Sequence, residues 1–104
     1  MNNNIKIEFI DNNTQHSEYN WANISCNDNR VGKARCHING KEITIFSVII
    51  FPEYQGNGYG VAFIDYTKQN YKRVIADRVR FTAKGFWAKV GFKQIDEETW
   101  VFEN

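Results

Sequence analysis

Charge of one sign is missing from this chain: 13 Lys and Arg stand against 12 Asp and Glu, for a formal net charge of +1. Capture of nucleic acid or an acidic membrane by an overall field needs a basic face, so this balance argues against both partners. Long apolar runs are missing too. No stretch approaches the ~20 residues of a membrane helix, and MNNNIKIEFIDNN lacks the apolar centre of a secretory leader. The two cysteines, Cys26 and Cys36, have neither CxxC spacing nor a paired histidine motif, which predicts reduced packing thiols in a cytoplasmic protein. His16 and His37 stand in unrelated contexts and predict no metal site. No internal repeat or linker interrupts the chain. What is present, 42% hydrophobic and 15% aromatic residues over 104 positions, fits one folded domain spanning residues 1–104.

Periodicity supplies the elements. Alternation predicts a strand over 5–10, then polar loop through 11–18. Strands over 19–26 and 31–38 flank the turn formers Asn27, Asp28 and Asn29. Asn39-Gly40 is a hairpin signal that returns the chain into a strand over 41–51, KEITIFSVIIF. Its second half is apolar on both faces, which places it centrally in a sheet. A helix over 61–72 puts Asp65, Lys68, Gln69 and Lys72 on one side and Phe63, Ile64, Thr67 and Tyr71 on the other. A short strand over 74–77 follows. Ala83, Phe86, Trp87 and Val90 then form the apolar stripe of a second helix closed by Gly91. Strands over 92–95 and 99–102 end the pattern. The order predicts an α+β fold: a mixed, mostly antiparallel sheet of six to seven strands, two main helices, and one parallel pair joined through the first helix.

Three of the seven glycines fall at alternate positions in FPEYQGNGYG, between the central strand and the first helix. A strand, a glycine-rich turn and a helix start together offer backbone N–H groups at a positive dipole end, which suits phosphate or diphosphate. The bland alternative is a tight turn without a ligand. A P-loop is excluded, because no GxxxxGK[ST] exists. A dinucleotide fingerprint needs a glycine where Val61 stands, although Asp77 ends the next strand at a suitable distance for a ribose hydroxyl.

The segment Pro52-Glu53-Tyr54-Gln55-Gly56-Asn57-Gly58-Tyr59-Gly60 resembles the acetyl-CoA signature [Q/R]-x-x-G-x-[G/A] of the GNAT acetyltransferase superfamily, and Ala83 to Phe92 resembles its A-x-x-F-Y-x-K-x-G-F segment. The resemblance runs from about Glu42 to Phe102; residues 1–40 carry no matching motif. It implies the GNAT fold, with acetyl-CoA as co-substrate and no metal. The amides of Gln55, Gly56, Asn57, Gly58, Tyr59 and Gly60 would hold the coenzyme diphosphate. The pantetheine arm would pair with the free edge at Val48, Ile49 and Ile50, where the parallel strands splay. The N–H of Ile50 would meet the thioester oxygen, stabilising charge as it develops. Arg78, Arg80 and Lys84 are placed to reach the phosphates, and Phe86 belongs to the second block.

Acetyl transfer to an amine needs a neutral nucleophile, and a free lysine lies about 3.4 units, roughly 4.6 kcal/mol, from neutrality at pH 7. Glu42, on the central strand, is the candidate base, directly or through water. By alternation it shares a face with Thr44, Phe46, Val48 and Ile50. It lies about two residues earlier than the resemblance suggests, and the plain alternative is a solvated Glu at a strand start. Trp87 stands where the family often has an acidic tyrosine, and an indole supplies no acid. Its packing role then leaves the thiolate to depart unaided. The short front segment DNNTQHSEYN leaves no room for the two helices that usually wall the acceptor site. An open acceptor side implies a protein or peptide amine, or a homodimer that completes the site. The alternative is a catalytically degenerate GNAT-fold module that binds acyl-CoA or a protein partner.

Overall fold

A computed structural model describes residues 5–10 and 18–104. His16 and most of the polar front segment lie outside the described residues, so the expectations placed there are not addressed. The strands are β1 (Ile5–Phe9), β2 (Asn20–Cys26), β3 (Asn29–Asn39), β4 (Glu42–Ile50), β5 (Arg73–Ala76), β6 (Lys93–Gln94) and β7 (Trp100–Glu103); the helices are α1 (Tyr59–Asn70) and α2 (Lys84–Lys89). Among the described residues they form one seven-stranded sheet in the order β1-β2-β3-β4-β5-β7-β6, antiparallel except for β4 and β5. This is the mixed α+β sheet that the sequence predicts.

Local chemistry explains the turns. Asn27 and Asp28 both hold positive φ, 53° and 70°, the requirement of the tight hairpin turn that joins β2 to β3. The next turn is shifted by one from the expected Asn39-Gly40. Asn39 still pairs with Glu42, so Gly40 and Lys41 form the loop, with φ 62° at Gly40. The side chain of Asn104 donates to the carbonyls of Lys68 and Tyr71, both at 2.7 Å, and satisfies groups left open where α1 ends.

One face of the sheet carries the core. Ala22, Ile24, Cys36, Ile43, Ile45, Val74 and Ala76 pack beneath Phe63, Ile64 and Thr67 of α1, all essentially inaccessible. Cys26 and Cys36 are free, buried thiols, as expected. Trp87 is 8% exposed and packs edge-on against Phe86 and Phe92 at 5.2 and 4.9 Å. Phe86, expected on the same buried stripe, is instead 37% exposed. Lys68 donates to the Val90 carbonyl and lies 4.7 Å from the Phe102 ring, tying α1 to the end of α2.

Two bulges break the period of two. One interrupts β2–β3 between Ile24 and Ser25; the other lies between Arg35↔Ser47 and Cys36↔Ile45, leaving Phe46 as the extra residue of β4. The second corrects a sequence expectation. Ile43, Ile45, Val48 and Ile50 share the α1 face, because their partners Ile38, Cys36, Ala34 and Gly32 do. Glu42 and Thr44 point to the other face, away from Val48 and Ile50. Uniform alternation fails because one inserted residue inverts everything beyond it.

Candidate active site

The β4–β5 ladder stops at Ile45↔Ala76, with one last bond from the Asp77 N–H to the Ile45 carbonyl at 3.0 Å. Beyond it the parallel strands part. Phe51 N–H donates to the Val31 carbonyl at 2.9 Å, which fixes the parity of the β3–β4 ladder. Residues 49 and 51 therefore turn their backbone groups toward β3, while Val48 and Ile50 turn theirs into the gap. The Ile49 carbonyl agrees: it lies 2.5 Å from where a Cβ on Gly32 would stand. Thus the expected edge of Val48, Ile49 and Ile50 resolves into two residues facing the gap and one that does not. Gly32 was not singled out in the sequence, since its need for a small residue comes from the neighbouring strand.

The gap opens toward the glycine loop. Pro52–Tyr54 makes a single 3-10 turn, so the Gln55 N–H is committed to the Pro52 carbonyl at 3.3 Å. Its side chain donates back to the Ile50 carbonyl at 2.9 Å. Gln55 is therefore a strut rather than the amide donor expected of it. Asn57 acts similarly, its side chain donating to the Tyr54 carbonyl at 3.0 Å. Gly56 and Gly58 hold φ of 84° and 82°, and Gly58 caps α1. The first helical bond runs from Ala62 to Gly58 at 2.9 Å, so the N–H groups of Tyr59, Gly60 and Val61 lack partners within the helix. At Gly60 a methyl would meet only Ile50 Cγ1, at 3.9 Å, and the protein's own packing tolerates it. The Tyr59 ring turns inward, edge-on to Tyr54 at 6.5 Å. A hydrogen bond with Cys26 holds its hydroxyl above the usual tyrosine range, followed by desolvation.

Arg80 is exposed ahead of the 3-10 turn Phe81–Ala83, and Phe86 meets the Trp87 ring edge-on. Arg78 is engaged elsewhere: its guanidinium lies 5.3 Å from the Phe46 ring and 3.9 Å from Asp77. Lys84 covers Phe81 at 5.2 Å. Glu42 pairs with Arg73 at 3.5 Å, both partly exposed, at the far end of the β4–β5 ladder. Ile45, where the ladder stops, is three residues on, roughly 10 Å at 3.3 Å per residue. Asp77 is the carboxylate at the fork itself. Its Oδ1 accepts from the Arg78 N–H at 2.9 Å. The sequence singled it out only for a ribose, because its nearness to the fork depends on where the ladder ends. Among the described residues no cluster could hold a metal ion, and no helix is long and apolar enough to cross a membrane.

Comparison with known proteins agrees with this geometry. The chain is 32% identical over 50 residues to an uncharacterised N-acetyltransferase of Oceanobacillus iheyensis, a match covering 48% of this chain and 31% of that one. The chain thus matches about a third of the length of that curated relative. The crystal structure of a GNAT family acetyltransferase from Elizabethkingia anophelis with acetyl-CoA bound superposes with a TM-score of 0.69 at 13% identity, over 98% of this chain and 99% of that one. The N-acetyltransferase YlbP of Bacillus subtilis in complex with coenzyme A gives 0.65 at 21% identity, over 81% and 67%. The model of the acetyltransferase (GNAT) family matches residues 3–92. With fork, glycine loop and family model in agreement over most of its length, the chain belongs to the GNAT acetyltransferase family.

Proposed function

We propose that this protein is an acetyl-CoA-dependent N-acetyltransferase acting on a primary amine of a protein or peptide, by direct attack within a ternary complex. One observation carries the reading: the backbone groups of Val48 and Ile50 face an unpaired gap that leads to the positive start of α1. The diphosphate of the co-substrate sits at Gly58, Tyr59 and Gly60, where N–H groups and the helix dipole converge. Its arm enters the gap as an added strand, so Ile50 is met first and Val48 lies two residues deeper. The thiol end is the far end, which makes the Val48 N–H a donor to the thioester oxygen beside or instead of Ile50.

The acceptor then enters from the face opposite α1. Both Glu42 and Asp77 belong to that face, so the bulge that separates Glu42 from Ile50 leaves it on the acceptor side. Proton removal through water toward either carboxylate fits their positions, and Asp77 is the nearer to the fork. Trp87 is committed to packing and takes no proton. Departure as a thiolate, with a pKa near 8.5, is tolerable at neutral pH.

A thermal shift with coenzyme A tests the binding step. Ligand at 100 Kd should stabilise the fold by about 2.7 kcal/mol, and NAD should not. Transfer from labelled acetyl-CoA to a lysine peptide panel tests the chemistry. A clear shift without turnover on any peptide would favour the degenerate binding module instead.

A further inference from the structure

The face opposite α1 is neither apolar nor neutral. Lys33 lies 5.4 Å from the Trp21 ring, Arg35 lies 4.8 Å from Tyr19 and 5.8 Å from Phe46, and Arg30 lies 5.8 Å from Phe51. Arg78 covers Phe46 from the β5 side. Four cations therefore stand on this face, each over an aromatic ring. Register places them together: Trp21↔Arg35↔Ser47 and Asn23↔Lys33↔Ile49 form adjacent rows across β2, β3 and β4.

The chain's near-zero net charge conceals this concentration. Among the described residues no carboxylate lies within 4.0 Å of Arg30, Lys33 or Arg35, whereas Arg73 and Arg78 are paired. The Arg35 Nε atom is buried without a hydrogen-bond partner. Ile49 beside them is 43% exposed, and α1 packs on the other face. Glu8, exposed on β1 opposite Asn23, and Asp77 beside Arg78 share this face, yet neither pairs with Arg30, Lys33 or Arg35, which leaves these three charges open to an outside partner.

We infer that this cation-on-aromatic face docks an acidic segment of the acceptor protein, so that the acetylated amine is one flanked by carboxylates. This rests on the acetyltransferase reading. Bidentate guanidinium–carboxylate pairs would orient the segment across β2 to β4 and deliver its amine to the fork. The same cations repel a polyamine or a lysine in a basic tail. They also disfavour the protonated form of an amine brought among them, which moves it toward the neutral nucleophile the reaction requires.

The test is fluorescence anisotropy with protein saturated in coenzyme A. Labelled peptides carry one lysine flanked by Asp and Glu, by Gly and Ser, or by Lys and Arg. The acidic peptide should bind at least about tenfold more tightly than the basic one at low salt, with the gap closing near 1 M, where the Debye length is ~3 Å. Arg35→Glu should erase or reverse the preference, while Lys72→Glu, an equal charge change at an exposed residue beyond α1, should leave it intact. Circular dichroism melts confirm that both variants are folded. Equal binding of the three peptides, or a preference that survives Arg35→Glu, overturns the inference and leaves the proposed function standing. Failure to saturate with coenzyme A overturns that function and this inference with it. A dimer that Arg35→Glu dissociates and that excludes the acidic peptide assigns the face to a second copy of the chain.

Discussion

The two faces of this sheet use aromatic and aliphatic residues in opposite ways. Beneath α1, Phe63, Ile45 and Cys36 belong to one buried core, and their burial stabilises through apolar area removed from water. On the other face, Tyr19, Trp21 and Phe46 remain half-buried under arginines and lysine, with little apolar area gained. The two sides meet at the fork, where β4 leaves β5. A face built for packing and a face built for contact should answer substitution differently, and that difference is measurable.

The largest expected effect is on the packed side. Phe63→Ala should lower unfolding free energy by about 3–5 kcal/mol, as for other fully buried aromatics. Phe46→Ala, on the open face, should lower it by only about 1 kcal/mol, the scale of its ring and cation contacts. Urea melts of both variants decide the matter, and equal losses would break the comparison. Next comes Gly60→Val at the start of α1. A methyl fits there, and the family signature admits Ala, but a larger branched side chain is expected to crowd the proposed diphosphate cradle. Coenzyme A affinity should fall about 100-fold, or ~2.7 kcal/mol, read by titration calorimetry. The melting temperature without ligand should barely move, since Val and Gly have similarly poor helix propensity.

Cys36 supplies a pH signature of the packed side. Desolvation pushes its thiol from the ordinary 9.0 to about 12. A raised folded value stabilises fully below the unfolded value and is lost as pH rises through the window between the two. Stability should therefore hold up to pH 9 and then fall by at most ~1.4 kcal/mol per pH unit toward 12. Burial also raises Tyr71, so the clean interval is pH 9 to 10. Cys36→Ala should flatten the slope there. An unchanged slope would show that the thiol is not the group responsible.

Much of this was legible in the residues. The glycine signature, the apolar central strand and the α1 stripe each follow a local rule, and local rules survive folding. What the sequence concealed depends on partners. Phe46 became a bulge because β3 pairs Arg35 with Ser47 and Cys36 with Ile45, skipping it. Gln55 looked like a ligand amide, yet a 3-10 turn consumed its N–H. Arg78 was expected to reach the coenzyme phosphates, and Arg35 was not singled out at all. Only the juxtaposition of β3, the bulge and the segment after β5 sets both against one ring.

The smallest expected effect is the most informative about the open face. Arg35→Met keeps an unbranched stem long enough to lie between Tyr19 and Phe46, and it removes both the charge and the buried Nε that lacks a partner. Losing the cation–π contact should destabilise by about 0.5–1 kcal/mol at a partly exposed site. Removing an unsatisfied buried donor should return about as much. The net change in a urea melt should therefore stay within about 0.5 kcal/mol, or even favour the variant. A loss of several kcal/mol would instead make Arg35 a structural member of the fold, like Phe63 on the far side. If stability holds while the preference for an acidic peptide disappears, the arginine is kept for what it binds rather than for what it packs against.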